Sequence, residues 1–180
     1  YDVPISYFPK FFHPDPTVKR QSGFLKPSLG SSSAMGESVY IPYFHVISQD
    51  KDMTFKPRVF GLNKYVLQSE YRQETRKSNT IIDFSLTKGH DSSKSDKRDS
   101  RSHFFSKTDI NLDFDNFLRS NVEIQYQKAS NDTYIKLFDL FETGSPLKPT
   151  NTKLLSSIVK LDLENDDYNF TTSFQQFETL

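Results

Sequence analysis

Cysteine is absent from all 180 residues, which excludes a disulfide framework, a thiolate nucleophile and a Cys-ligated zinc within this stretch. Net charge is absent as well. Twenty-three basic side chains balance 23 acidic ones, so no overall field draws the chain to nucleic acid or to an acidic membrane surface. No apolar run approaches the roughly 20 residues that a spanning helix needs. The G-x-S-x-G, G-x-x-x-x-G-K-[ST] and G-x-G-x-x-G patterns are missing, which leaves hydrolase and nucleotide-binding readings without a foothold. Helical periodicity is nearly absent. Aromatic residues, by contrast, are plentiful: 17 Phe and 9 Tyr bring them to 14% of a chain that is only 34% hydrophobic, well above what a disordered segment carries.

Alternation with period two fills the space that helices leave. Tyr65, Leu67 and Tyr71 oppose Gln68, Glu70 and Arg72; Ile82, Phe84 and Leu86 oppose Asp83, Ser85 and Thr87. The same holds for Ile110, Leu112 and Phe114, for Val122, Ile124 and Tyr126, for Val159, Leu161 and Leu163, and for Tyr168, Phe170 and Phe174. Strands are expected near 21–30, 36–48, 52–60, 63–76, 79–89, 101–115, 119–129, 154–164 and 168–178. Turns after every second strand are tight, as at Asp50, Lys77-Ser78 and Asp166, while the other end carries the long connections Gly89 to Ser100 and Ser130 to Lys153. Short turns at one rim and long loops at the other are what an outer-membrane β-barrel shows.

A soluble β-sandwich or jellyroll binding module also alternates, with its apolar face dry, and a generic porin-like barrel is a third reading. Three features favour the barrel. Strand lengths suit a tilted spanning strand of about 9 to 11 residues, the strands follow one another as hairpins, and aromatics recur near strand ends (Tyr40, Tyr43, Phe44, Phe104, Phe105, Tyr126, Tyr168) as an interfacial girdle would. The expected fold is all-β: antiparallel up-and-down hairpins forming part of a transmembrane β-barrel, incomplete and not closed, because nine strands is odd and single bacterial chains close with an even number. Tyr1 already lies in strand-like sequence with no signal-peptide pattern, so the start reads as the cut edge of a longer protein.

Residues that could carry chemistry are sparse. His13, His45, His90 and His103 lack a second ligand at metal-binding spacing, and no catalytic residue, metal or cofactor is expected. His13-Pro14-Asp15-Pro16 is stiffened by proline on both sides of Asp15 and reads as a hinge. Asp109, Asp113 and Asp115 share the wet face of one strand with Asn111. Gly30-Ser31-Ser32-Ser33 reads as a flexible connector, Gly89 to Ser102 as a mobile surface loop, and Ser85 as a lumenal position that would tolerate arginine. Pro27 and Pro42 are the least ordinary residues, since each lies inside an expected strand and proline cannot donate to a ladder. Two readings stand beside each other: an edge hairpin protected from aggregation, or a seam made easy to open.

At these prolines the sequence resembles the outer-membrane lipopolysaccharide-assembly proteins, also called the organic solvent tolerance family. The matching stretch runs from Pro4 to Pro57, with Lys19-Arg20-x-Ser22-Gly23-Phe24-Leu25-x-Pro27 and Tyr40-x-Pro42-Tyr43 as its specific runs, supported by Tyr71-Arg72 and Asp132-Thr133-Tyr134. Beyond Leu140 only the hairpin pattern matches. The resemblance implies that residues 1–16 end a periplasmic jellyroll and its hinge, and that 17–180 supply the first nine or so strands of a large barrel. It implies that Pro27 and Pro42 weaken strands beside a lateral gate, and that the protein transports lipopolysaccharide to the outer leaflet without being an enzyme. Implied partners are lipopolysaccharide, a plug lipoprotein, a periplasmic lipopolysaccharide bridge protein and the outer membrane of a Gram-negative cell, with the N-terminal end periplasmic. One departure stands out: family members tie jellyroll to barrel with disulfides, and this stretch has no Cys.

Overall fold

The computed structural model describes residues 20–32, 35–61, 64–92, 95–140, 147–149 and 153–180, with the backbone alone for Ser32, 89–92 and 95–99. In chain order the elements are β1 (Gly23–Phe24), β2 (Ser28–Ser32), β3 (Gly36–Tyr40), β4 (Tyr43–Ser48), β5 (Lys51–Phe60), β6 (Lys64–Glu74), β7 (Ser78–Ser92), β8 (Ser95–Asn111), β9 (Arg119–Ala129), α1 (Tyr134–Phe138), β10 (Leu154–Glu164) and β11 (Asn169–Thr179). All strands belong to one antiparallel sheet in the order β1-β4-β5-β6-β7-β8-β9-β10-β11, with β3 joining β2 to β5. The expected up-and-down, all-β fold is observed as an open sheet.

Register turns the alternation of each strand into two continuous faces. Along one, Thr108, Ile124, Val159 and Phe174 stand opposite one another from β8 to β11, and the last three are 38%, 49% and 72% exposed. On the other, Gln68, Ser85, His103 and Ala129 form a single rung from β6 to β9, and every one is buried. The apolar face is therefore bare and the polar face is covered along this rung, the reverse of a water-soluble sheet.

The cover is the connection after β9. Asn131 Oδ1 accepts the backbone N–H of Thr133 at 3.0 Å and its hydroxyl at 2.8 Å, which starts a helix of one turn. Asp139 ends it with φ 46° in the left-handed region, its N–H 3.4 Å from the Lys136 carbonyl. Tyr134, Phe138 and Leu140 pack on Phe60 and Val66; Ile135 and Leu147 pack on Phe105, Ala129 and Leu155.

Several expectations need correction. Each of the first two strands is broken in two, at Leu25–Pro27 by an extra residue beside Pro27 and at Ile41–Pro42 because Pro42 removes a ladder donor. Gly30, Ser31 and Ser32 are part of β2 rather than a connector. The supposed mobile stretch after Gly89 is mostly paired, with His90 opposite Asp99 and Asp91 opposite Arg98, since polar residues extend a hairpin whose register is set below. β8 stops at Asn111, whose side chain accepts the Asp113 N–H at 2.9 Å and turns the chain with Asp113 at φ 56°. Leu112, Phe114, Asp113 and Asp115 thereby leave the strand faces, while Asp109 stays on β8. Phe105 is fully buried under the cover and Phe44 faces the inner side, so neither joins an outer girdle, whereas Phe104 and Tyr126 do lie together on the bare face at 6.2 Å.

Candidate functional site

The first hairpin is where this sheet departs from regular pairing. Leu25 N–H donates to the Pro42 carbonyl at 2.9 Å, and Ile41 N–H donates to the Pro57 carbonyl at 3.3 Å. In an antiparallel ladder such residues normally exchange two bonds, but proline has no N–H to return. Consecutive residues 41 and 42 thus face opposite neighbours, and each shares a single bond where a regular strand would share two. Pro42 is buried and withholds its donor from the first strand; Pro57 withholds one from the second. Pro27 acts differently. Three steps from Leu25 to Ser28 match two from Pro42 to Tyr40, so Lys26 and Pro27 oppose Ile41 alone, a β-bulge in which proline is tolerated.

The motif residues around the prolines hold the hairpin from its ends. Ser22 Oγ accepts the Val46 N–H at 2.8 Å; Gly23 and Phe24 pair with Phe44 and Tyr43, and the Phe24 and Tyr43 rings meet edge to face at 5.0 Å. Arg20 and Arg72 both bind the buried carboxylate of Asp52 and both reach over the Phe44 ring, at 5.6 and 5.9 Å. Tyr40 pairs with Ser28 on one side and Arg58 on the other. Beyond the break, a groove of about 550 Å³ opens along the hairpin, lined by Leu29, Ser31, Val39 and Val59 among others. Lys19 and the expected hinge at His13, Pro14, Asp15 and Pro16 lie outside the described residues, as does the whole 1–16 segment.

A second constellation lies under the cover, and sequence reasoning missed it. Ser85 Oγ is 2.5 Å from His103 Nδ1 and 2.8 Å from the Tyr134 hydroxyl. His103 Nε2 is 3.0 Å from Asp83 Oδ1, and the Gln68 amide donates to both Asp83 oxygens at 2.9 and 3.0 Å and to the Leu140 carbonyl at 3.2 Å. One imidazole tautomer, with its proton on Nε2, satisfies this chain from Tyr134 through Ser85 and His103 to Asp83. Serine, histidine and aspartate in contact suggest a hydrolytic triad, but the ring is reversed, with Asp on Nε2 and Ser on Nδ1. Ser85 is 2% exposed and its oxygen is already engaged, which leaves no face for a substrate. The cluster fastens the cover to the wall. Burial pushes the Tyr134 hydroxyl up to about 12, opposed by its bond to Ser85. At the opposite rim, the Ser48 hydroxyl, 2.5 Å from Asp50, holds that exposed carboxyl below its ordinary value.

His45 stacks beside Tyr43 at 6.5 Å on the first hairpin, and among the described residues no group of three or more His, Cys, Asp or Glu could hold a metal ion. No described helix is long and apolar enough to cross a membrane, which says nothing against crossing by strands.

An antiparallel hairpin sheet with a bare apolar face, a polar inner face and an interrupted first hairpin has the make-up of a fragment of a β-barrel wall. No protein-family model matches the chain, but curated proteins do. It is 28% identical over 99% of its length to the LPS-assembly protein LptD of Psychrobacter arcticus and 27% identical over 99% to that of Pseudoalteromonas atlantica. A shorter stretch, 43% of the chain, is 36% identical to the LPS-assembly protein LptD of Ectopseudomonas mendocina. The likeness read from the motif residues therefore extends past Leu140 to the whole chain. The chain spans 18% and 22% of the first two relatives and 8% of the third.

Proposed function

We propose that this chain is the first part of the barrel of a lipopolysaccharide translocon in a Gram-negative outer membrane, and that its first hairpin is one side of a lateral gate. Lipopolysaccharide is an amphiphile: its acyl chains must reach the outer leaflet while its sugars remain among polar groups. An inner face bearing Asp52, Lys56, Glu70, Arg72 and Gln125, and an outer face bearing Phe55, Leu86 and Val159, meet both needs at one wall. The work is transport, without a covalent bond made or broken. The observation that carries the reading is the pair of single-bonded rungs at Ile41 and Pro42, because a seam that opens laterally must be weaker than its neighbours. Residues 1–16 then end the periplasmic jellyroll that receives lipid from the bridge protein, the tight-turn rim at Asp50 and Asp166 is periplasmic, and the plug lipoprotein sits inside the closed barrel.

The test restores the missing donors in the full-length protein. Pro42→Ala and Pro57→Ala each return one backbone bond, worth about 0.5 to 1.5 kcal/mol net, and with Pro27→Ala they should tighten the seam. Surface lipopolysaccharide should fall and permeability to large antibiotics rise in cells that depend on the variant at matched expression. Normal export from a correctly assembled Pro42→Ala/Pro57→Ala variant removes the gate role and leaves the prolines as edge protection.

A further inference from the structure

Arg58 lies on β5 with its guanidinium on the inner face, between the first hairpin and the end of α1. Its Nε donates to Ser38 Oγ at 2.9 Å, and Ser38 Oγ in turn donates to the Gly30 carbonyl at 3.1 Å. Its Nη1 donates to the Phe138 carbonyl at 3.0 Å and to the Asp139 carbonyl at 2.9 Å, carbonyls a helix end leaves without intrahelical partners. The guanidinium packs over the Phe60 ring at 4.8 Å, the ring that also meets Phe138 edge to face. Gly30 makes the passage possible: a Cβ there would stand 2.8 Å from Arg58 Nη2. One planar fork therefore joins β2, β3 and β5 to the cover. A lysine could not match it, since an ammonium is a point charge that does not reach three separated acceptors in fixed directions.

From this geometry we infer that Arg58 is a latch that couples the seating of the cover, residues 134–140, to closure of the first hairpin. With the cover seated, the guanidinium is fixed and holds Ser38 against the Gly30 carbonyl, which braces β2 on β3 just past the proline break. When the cover leaves the wall, Arg58 loses its carbonyl acceptors, Ser38 loses its fixed donor, and the β2–β3 pairing relies on the backbone alone. A polymer of sugars that filled the lumen behind the wall would displace the cover, so cargo itself would release the latch. The inference rests on reading the hairpin as a seam that opens, but the coupling is a property of the wall and can be measured without cargo.

Leu29 and Val59 are exposed on the outer face at opposite sides of β3, and nitroxide labels there report the width of the seam. In the full-length protein, assembled with its partners in lipid, pulsed EPR gives the distance distribution between them. Phe138→Ala unseats the cover without touching the hairpin, and it should broaden the distribution toward longer distances. In an Arg58→Met background, already broadened, Phe138→Ala should add nothing. Gly30→Ala, which displaces the guanidinium while keeping its charge, should reproduce the broadening and serves where Arg58→Met fails to assemble. Broadening by Phe138→Ala that is the same with and without Arg58, or a distribution that none of the three changes, overturns the latch. Export measured in Pro42→Ala/Pro57→Ala reads the gate by itself, so failure of one claim is separable from failure of the other.

Discussion

The first hairpin and the central wall are built from the same alternating chemistry, yet they pair very differently. β5 and β6 run without a break from Lys51 opposite Gln73 to Phe60 opposite Lys64, and β8 and β9 from His103 opposite Ala129 to Asn111 opposite Asn121. β1 and β4 share only Gly23 opposite Phe44 and Phe24 opposite Tyr43 before the break. Side-chain pattern cannot account for the difference, since both regions alternate. Backbone donors can: Pro42 and Pro57 each withhold one beside the first hairpin and Pro27 occupies a bulge there, whereas β6 to β11 contain no proline. The central wall is also fastened from inside by the Asp83, Ser85 and His103 cluster, while Arg58 holds Ser38 across the upper half of the seam. The central wall and the first hairpin differ here in ladder donors and in what covers them.

The sharpest way to break this comparison is to attack the central wall. Ser85→Arg places a charge beneath Tyr134, where the residues are buried, and should cost about 3 to 5 kcal/mol, the usual penalty for a buried charge without a partner. Denaturant unfolding of the refolded full-length protein in lipid measures it, and near-neutral behaviour would mean the cover is not seated on Ser85. A smaller loss is expected on the bare face. Phe84→Arg should cost about 2 to 4 kcal/mol if it lies near the bilayer midplane, whereas a dry sandwich core would not report lipid at all. Brominated-lipid quenching of Phe84→Trp distinguishes the two settings, with quenching expected.

Alkaline pH should loosen the cover before it affects the seam. The Tyr134 hydroxyl ionises near 12 in the folded wall against an ordinary value of about 10. A raised tyrosine favours the folded state fully below the ordinary value, and that contribution is lost as pH climbs toward the folded one. Titrating the phenolate absorbance of the protein against Tyr134→Phe should show a component missing from the variant between roughly pH 10 and 12. An unchanged difference spectrum would show that Tyr134 is not buried against Ser85.

Much of the fold is legible in the sequence itself. Alternation identified the strands, because each face of a sheet must suit its surroundings along its whole length, and Pro27 and Pro42 stood out because proline in a strand is costly. Pro57 was passed over for a physical reason: its lost donor matters only through its neighbour Ile41, and a neighbour across a ladder is fixed by register, which one strand does not reveal. The same reason hid the contact of Ser85 with His103, eighteen residues apart in sequence and opposite in the sheet. The cover had a local signal. Tyr134 and Phe138 stand at i and i+4, and their rings meet at 5.2 Å; helical spacing inside an expected surface loop was the clue that the loop had a face to bury.

The central claim is that the seam is weak because prolines withhold ladder donors, and amide hydrogen exchange in the full-length protein tests it most directly. In the unaltered protein the Leu25 and Ile41 amides should exchange far faster than those of Ser85 and Phe105 in the central wall. In Pro42→Ala/Pro57→Ala the two restored bonds, each about 0.5 to 1.5 kcal/mol, should slow Leu25 and Ile41 by on the order of 10-fold to 100-fold if they add, with the central amides unmoved. Equal protection of both regions in the unaltered protein, or no slowing at Leu25 and Ile41 in the variant, would contradict it.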